Sequence, residues 1–359
     1  MNFDFTDDQQ AIKRTAHEFL AARYKPEEVR RLAGEERGFT DEQWSQIVGL
    51  GWPGLVVAEE HDGLGLGVVE LVVIQEELGQ ALAPTPFFSD AAAALLLQAG
   101  GSEEQKAELL APLARGEQRG TVAVWDADGG WTPDHSELVA TGGSLTGTKI
   151  AVPDAGSADW IVVAAAEGRH YLVPTAGHGV RVEATPGIDT TRKLFAVHLE
   201  GAEAQELPGD AEDVAHAYHG IDAALAAESV GVAQRALEMA VEYAKDRKQF
   251  GRPIGAYQAV SHRCAQMLLE IEGARSLAYN AAWACDHEPE SAALAASMAK
   301  AYASEAGWRV TASSLQVHGG IGFTWEHDLH FFLKRAKANA HAFGDARWHR
   351  DRVADLAGI

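Results

Sequence analysis

Cysteine is nearly absent from this chain: Cys264 and Cys285 are the only two among 359 residues. Both fall inside helical patterns, and neither has a metal-ligand companion at useful spacing. That excludes a disulfide framework and a cysteine-built metal site, and it reads as two reduced core thiols of a cytoplasmic protein. Basic side chains are scarce too, 30 Lys and Arg against 52 Asp and Glu, for a net charge of −22. Such a balance argues against nucleic acid and anionic membrane surfaces as partners. No apolar run approaches the roughly 18 residues of a membrane span. The opening Met1-Asn2-Phe3-Asp4-Phe5-Thr6 carries neither the basic nor the apolar region of a signal peptide, so no secretory leader is expected.

Hydrophobic residues make up 47% of the chain, enough for a sizeable interior, and the length calls for two or three packed units. Residues 1–118 read as an N-terminal helical domain. Thr6-Asp7-Asp8-Gln9 is a capping box opening an amphipathic helix that runs to Tyr24. Helical periodicity returns over 40–50, 68–82, 88–98 and 102–113. Between them, Gly63-Leu64-Gly65-Leu66-Gly67 lacks the dinucleotide spacing and has no βαβ unit around it; it reads as a link into the helix at Val68. Residues 119–208 turn to short β runs, at 122–125, 145–149, 160–163 and 194–199, between Gly, Asp and Pro punctuation. A small β-barrel or sandwich domain is expected there. Residues 209–359 are helical again, in four patterns of roughly 25 to 35 residues that, at about 1.5 Å per residue, span about 40–50 Å as a four-helix bundle. The predicted class is α+β, mostly α.

Two helix ends carry residues that helix packing does not ask for. Arg247-Lys248-Gln249-Phe250-Gly251-Arg252-Pro253-Ile254-Gly255 interrupts two long helical patterns. It can offer a fixed guanidinium to a phosphate or pyrophosphate, beside backbone that a ligand can approach closely. On these residues alone an ordinary interhelical turn with solvated charges competes with that reading. Further on, Gln316-Val317-His318-Gly319-Gly320-Ile321-Gly322 stops a third helix with a Gly pair. A bare helix end needs one Gly, and here a further Gly follows, then Phe323-Thr324-Trp325-Glu326.

In this order and spacing the two corners resemble the acyl-CoA dehydrogenase family, and the α, β, α order over nearly the whole chain is similar as well. The resemblance implies FAD as cofactor and α,β-dehydrogenation of an acyl-CoA thioester as reaction. It implies electron-transfer flavoprotein or a similar acceptor as redox partner, in a homo-oligomer or an α2β2 assembly with a related subunit. It also implies that Arg247 of one subunit reaches the FAD pyrophosphate of its neighbour. Gln249 and Phe250 then line the adenosine side, and Gln316, Gly319 and Gly320 supply the complementary wall, so that dimerisation completes the site. His318 reads as a packed helix-end residue.

Relatives place one Thr of a Thr-Glu-Pro segment and another of a Trp-Ile-Thr segment against the flavin ring. Here the segments read Val124-Trp125-Asp126-Ala127 and Lys149-Ile150-Ala151-Val152-Pro153, and both hydroxyls are missing. Either backbone groups replace them, with Trp125 stacked near the ring, or this subunit holds only the ADP half of a flavin facing another chain.

The reaction needs a carboxylate base in a dry pocket, where desolvation raises proton affinity. Most relatives supply a Glu from a Tyr-Glu-Gly-Thr turn. The corresponding stretch is Phe343-Gly344-Asp345-Ala346, with Asp345 one residue late and one methylene short. A second group, resembling isovaleryl-CoA dehydrogenase, carries its base on the first helix of the C-terminal bundle, at Ile221 by count, immediately before Asp222. Asp222 shares a helical face with Leu225, Ala226 and Ser229, as a tuned base would, but an Asp at a helix start also favours the first turn. Three readings stay open: Asp222 as base, Asp345 as base, or no base in this chain. Glu228 points to another side of the same helix and is expected to form an internal salt bridge with an Arg of a neighbouring helix.

Two alternatives accompany the dehydrogenase reading. One is a non-catalytic subunit that completes the cofactor site of a heterotetramer; the other is an acyl-CoA oxidase or related flavin oxidase. Ala223, Ala224, Ala226 and Ala227 would admit a bulky or branched acyl group, including a steroid side chain.

Overall fold

The computed structural model describes residues 5–127 and 135–359. Helices α1 (Asp7–Arg23), α2 (Pro26–Gly34), α3 (Asp41–Gly49), α4 (Val68–Ala81), α5 (Phe87–Gly100) and α6 (Glu103–Ala114) precede the strands. Helices α7 (Ala211–Asp246), α8 (Gln258–His287), α9 (Pro289–His318), α10 (Leu329–Asn339) and α11 (Ala346–Ala357) follow them. This is the expected α+β order, mostly α. The chain divides into two compact units: Met1–Arg30 with Val72–Ala83 and Asp222–Ile359, and Arg31–Leu71 with Pro84–Ile221.

In the second unit, strands β1 (Gly120–Ala123), β4 (Trp160–Ala164), β5 (His170–Pro174) and β8 (Gln205–Glu206) form one sheet in that order. Strands β2 (Ala140–Thr141), β3 (Ser144–Pro153), β7 (Leu194–Glu203) and β6 (Val180–Thr185) form the other. Only β1 and β4 pair in parallel among these. Ala123, Ile161, Val163 and Val173 from one sheet share a buried core with Leu145, Val152, Val197 and Leu199 from the other, which makes a sandwich. The run expected to reach Trp125 stops at Ala123. Beyond it the chain crosses to the other sheet, where Trp125 O accepts from Ile150 N at 2.9 Å and Ala127 N donates to Thr148 O at 3.2 Å. The glycine-rich link is a packed loop: a Cβ on Gly63 would lie 2.0 Å from Val57 O.

In the first unit, α1 opens with the predicted capping box, Thr6 Oγ1 accepting from Gln9 N and Gln9 Oε1 from Thr6 N. The second half of α4 crosses α7 with backbones in contact. A Cβ on Gly79 would lie 2.2 Å from Glu228 O, and one on Gly231 1.9 Å from Glu76 O, so any larger residue forces the helices apart. Helices α7, α8 and α9 are 36, 30 and 30 residues long. The expected fourth long helix is instead two short ones, α10 and α11, of 11 and 12 residues. The break falls where Phe343 and Gly344 take positive φ, 56° and 104°, a region a right-handed helix cannot traverse. Among the described residues no helix is long and apolar enough to cross a membrane.

Helix α2 has no counterpart among the expected helices. It is short, though Pro26 at its first position and Glu27 and Glu28 in its first turn are start signals. Helix α7 begins at Ala211, well before Ile221. Asp222 therefore sits in the helix interior, where the first-turn dipole does not explain an acidic residue.

Candidate functional site

Asp222 is 7% exposed and is followed on α7 by Ala223, Ala224, Leu225, Ala226 and Ala227, none above 1%. His349, on α11, places Nε2 3.9 Å from Asp222 Oδ1 and 3.2 Å from Phe343 O. Lys300, on α9, donates from Nζ to Asn339 O and Gly344 O at 3.0 Å each and to Ser304 Oγ at 3.3 Å. Burial raises Asp222 from the usual carboxylate range to about 7, against the opposite pull of Lys300 and Arg352. Burial lowers Lys300 to about 8, against the pull of Asp222 and Asp345. A carboxyl that exchanges its proton near neutral pH is suited to general-base work.

Asp345 stands elsewhere in this arrangement. It is the N-cap of α11, its Oδ1 accepting from Arg347 N at 3.0 Å and Trp348 N at 2.9 Å. Gly344, where the family resemblance would place a Glu, has no room for a side chain: a Cβ would lie 2.5 Å from the Trp348 ring and 3.0 Å from His349 Nε2. Glu228 makes the internal bridge expected of it, with Arg335 Nη1 at 2.6 Å.

The sequence reading overlooked Lys300 and His349. Lys300 had a signal, because it interrupts the buried small-residue stripe of Ala292, Ala296, Ala299 and Ala303 on α9. His349 had none, lying in the mixed-charge run Arg347-Trp348-His349-Arg350-Asp351-Arg352.

The two corners lie at one end of the long helices. His318 is packed at the end of α9, its ring stacked on Tyr243 near the end of α7 with centroids 4.7 Å apart. Strands β9 (Lys248–Gln249) and β10 (Arg252–Pro253) pair antiparallel and hold the first corner's loop. Arg247, Gln249 and Gln316 point to the surface, and Phe250 is 93% exposed at φ 52°. Gly319 adopts φ 65° and ψ −139°, a conformation essentially confined to glycine. A Cβ built on Gly319 or Gly320 meets nothing within 4 Å. The first corner thus exposes a guanidinium, an amide and an aromatic ring, and the second an amide and an open glycine pair, groups of the kind that contact phosphate, ribose and adenine.

Trp125 and Pro153 lie in the sandwich unit. Trp125 is half-buried just beyond β1. Pro153 closes β3 and offers no donor, while its carbonyl accepts from Thr121 Oγ1 at 2.5 Å. Asp126 and Lys149 form a buried ion pair that ties these two segments together, with Lys149 Nζ also 2.8 Å from Ser136 Oγ and 3.0 Å from Val124 O.

Residues 6–117 match the family model for the acyl-CoA dehydrogenase N-terminal domain, and residues 223–357 that for the acyl-CoA dehydrogenase C-terminal domain. The chain is 33% identical over 347 residues to the acyl-CoA dehydrogenase IpdE2 of Mycobacterium tuberculosis, a match covering 95% of this chain and 94% of that one. It is similar to the ChsE4-ChsE5 complex from Mycobacterium tuberculosis, with a TM-score of 0.91 at 29% identity over 100% of this chain and 99% of the other. A structure of the Tcur3481-Tcur3483 steroid ACAD gives 0.89 at 29% identity over 98% of each chain.

Proposed function

Since the chain belongs to the acyl-CoA dehydrogenase family, whose members are FAD-dependent, we propose that it introduces an α,β double bond into an acyl-CoA thioester with Asp222 as its base. The observation that carries this reading is the Asp222 carboxyl, buried on α7, raised to about 7 by burial and under the opposing pull of buried Lys300. Bound FAD supplies the hydride acceptor for the β carbon. The part of this chain's own residues is to take the α proton onto Asp222 and to keep water from that carboxyl. Ionised Asp222 is the competent form, and the dry surroundings that raise its proton affinity also strengthen the pull of Lys300 and Arg352. Arg247 would hold the pyrophosphate, Gln249 and Phe250 the adenosine side, and Gln316, Gly319 and Gly320 of a second subunit the opposite wall.

The similarity to a steroid ACAD supports a bulky, ring-bearing acyl group as substrate. The four alanines of 223–227 are enclosed by the fold and give no guide to acyl size. Electron-transfer flavoprotein or a similar acceptor is the redox partner in this reading, and rapid reoxidation of reduced flavin by oxygen would point to an oxidase instead. Two free cysteines suit a reducing compartment such as the cytoplasm.

A second reading, a cofactor-completing subunit of an α2β2 assembly, is favoured by Trp125 and Pro153 where relatives carry hydroxyls and by the likeness to the two-chain ChsE4-ChsE5 complex. Purifying the chain alone and with a co-expressed related chain separates the two. A yellow protein whose flavin is bleached by a steroid-side-chain acyl-CoA, with bleaching lost and FAD kept in Asp222→Asn, supports the first. Bleaching retained in Asp222→Asn removes Asp222 from the mechanism, and a chain that stays colourless until its partner is present supports the second.

A further inference from the structure

The left-handed turn at Phe343 and Gly344 is gripped by two side chains from different helices. His349 Nε2 lies 3.2 Å from Phe343 O, and Lys300 Nζ lies 3.0 Å from Gly344 O. Neither side chain is more than 1% exposed. Trp348 stands edge-on to the His349 ring with centroids 4.7 Å apart, and a Cβ on Gly344 would come within 3.0 Å of Nε2. That nitrogen faces two oxygens, Phe343 O at 3.2 Å and Asp222 Oδ1 at 3.9 Å. A carbonyl oxygen accepts and never donates, so the ring proton belongs on Nε2. Asp222 Oδ1 has no hydrogen-bond partner of its own, and at 3.9 Å the Nε2–H of His349 faces it as a dipole, beyond hydrogen-bond distance.

We propose that His349 and Lys300 are positioning residues for Asp222: the Nε2–H of His349 beside Oδ1 and the Lys300 ammonium behind the turn hold the buried carboxylate ionised and in place. The turn that carries the base in most relatives has here become the support of a base on another helix. The catalytic meaning of this support rests on Asp222 being the base; its electrostatics do not. Lys300 from α9 and Arg352 from α11 pull on Asp222, and His349 from α11 faces it; Asp222 in turn raises the Cys285 thiol of α8, and Asp345 shares with Asp222 the pull on Lys300.

The test is an infrared titration of the Asp222 carboxyl in the FAD-loaded protein, isolated as the difference from Asp222→Asn. Removing the facing N–H dipole or the cation disfavours the ionised form, so the midpoint rises by about one pH unit or more in His349→Leu and in Lys300→Gln. In His349→Gln, which keeps an N–H at similar reach, it stays within about half a unit of the parent. An unmoved midpoint in natively folded His349→Leu and Lys300→Gln overturns the proposal. Should those variants fail to fold, nitrogen NMR of the histidine-labelled parent decides: an Nε2–H tautomer for His349 supports it, and an Nδ1–H tautomer overturns it. Flavin bleaching by Asp222→Asn judges the base reading separately, because neither the titration nor the tautomer depends on turnover.

Discussion

Arg335 Nη1 lies 2.6 Å from Glu228 Oε1, and neither side chain is more than 2% exposed. Asn339 Nδ2 donates to Glu228 Oε2 at 3.0 Å, so both carboxylate oxygens are occupied. Such a pair need not add net stability, but removing one partner strands a charge in the core. Glu228→Ala or Arg335→Ala should each cost about 3–5 kcal/mol, and the double exchange Glu228→Leu with Arg335→Met much less than the sum. Urea unfolding checks this; single losses below about 1 kcal/mol would show that water reaches the pair.

Asp90 gives a cleaner electrostatic test, inside the sandwich unit. It is wholly buried, its Oδ1 accepts from Gly120 N at 2.8 Å, and burial holds its carboxyl well above the ordinary range against the pull of that N–H. The folded chain thus keeps a proton that the unfolded chain releases near pH 4. Its contribution to stability is complete below that pH and is lost as pH rises toward the folded value. Asp90→Asn keeps the acceptor for Gly120 and has no proton to lose. The melting temperature of the variant minus that of the parent should therefore climb from pH 4 to pH 8. A flat or falling difference would mean that Asp90 is ionised when folded.

Gly320 separates ligand from fold at the second corner. Space beyond its Cα is open, and its φ is not positive, so Gly320→Leu should leave the melting temperature of flavin-free protein within about 1 °C, as surface exchanges do. If the corner receives a dinucleotide, the same change lowers FAD retention on gel filtration by tenfold or more, which is about 1.4 kcal/mol. Full retention of FAD would move the cofactor away from Gly319 and Gly320. Gly319→Ala is a poorer probe, because its backbone angles strain any side chain regardless of ligand.

What could be read in the sequence was local. Thr6 announced α1 because a capping box needs only four consecutive residues, and Glu228 announced an ion pair because a carboxylate among alanines must be compensated. The break between α10 and α11 was hidden although Gly344 stood in view. The turn's two carbonyls are held by Lys300 and His349, residues on either side of it in sequence and brought together only by packing. Asp222 was likewise visible as a carboxylate on an apolar face. The cation and imidazole that act on it were not, since each lies far along the chain and one is wrapped in charged neighbours.

Asp345 shows how the two candidate bases can be told apart by stability as well as by chemistry. As the N-cap of α11 it serves two backbone N–H groups, a role a neutral amide oxygen fills almost as well. Asp345→Asn should be close to neutral, and Asp345→Ala should cost about 1 kcal/mol. Neither should abolish flavin bleaching by acyl-CoA if Asp222 is the base, whereas loss of bleaching in a folded, FAD-loaded Asp345→Asn would transfer the role to Asp345. Restoring the relatives' carboxylate with Gly344→Glu is no substitute experiment. The new Cβ would meet Trp348 at 2.5 Å at a φ of 104°, so the expected result is a lower melting temperature with no gain in bleaching. A stable, faster Gly344→Glu enzyme would mean that the turn at 343–344 can open, and with it the support that holds Asp222.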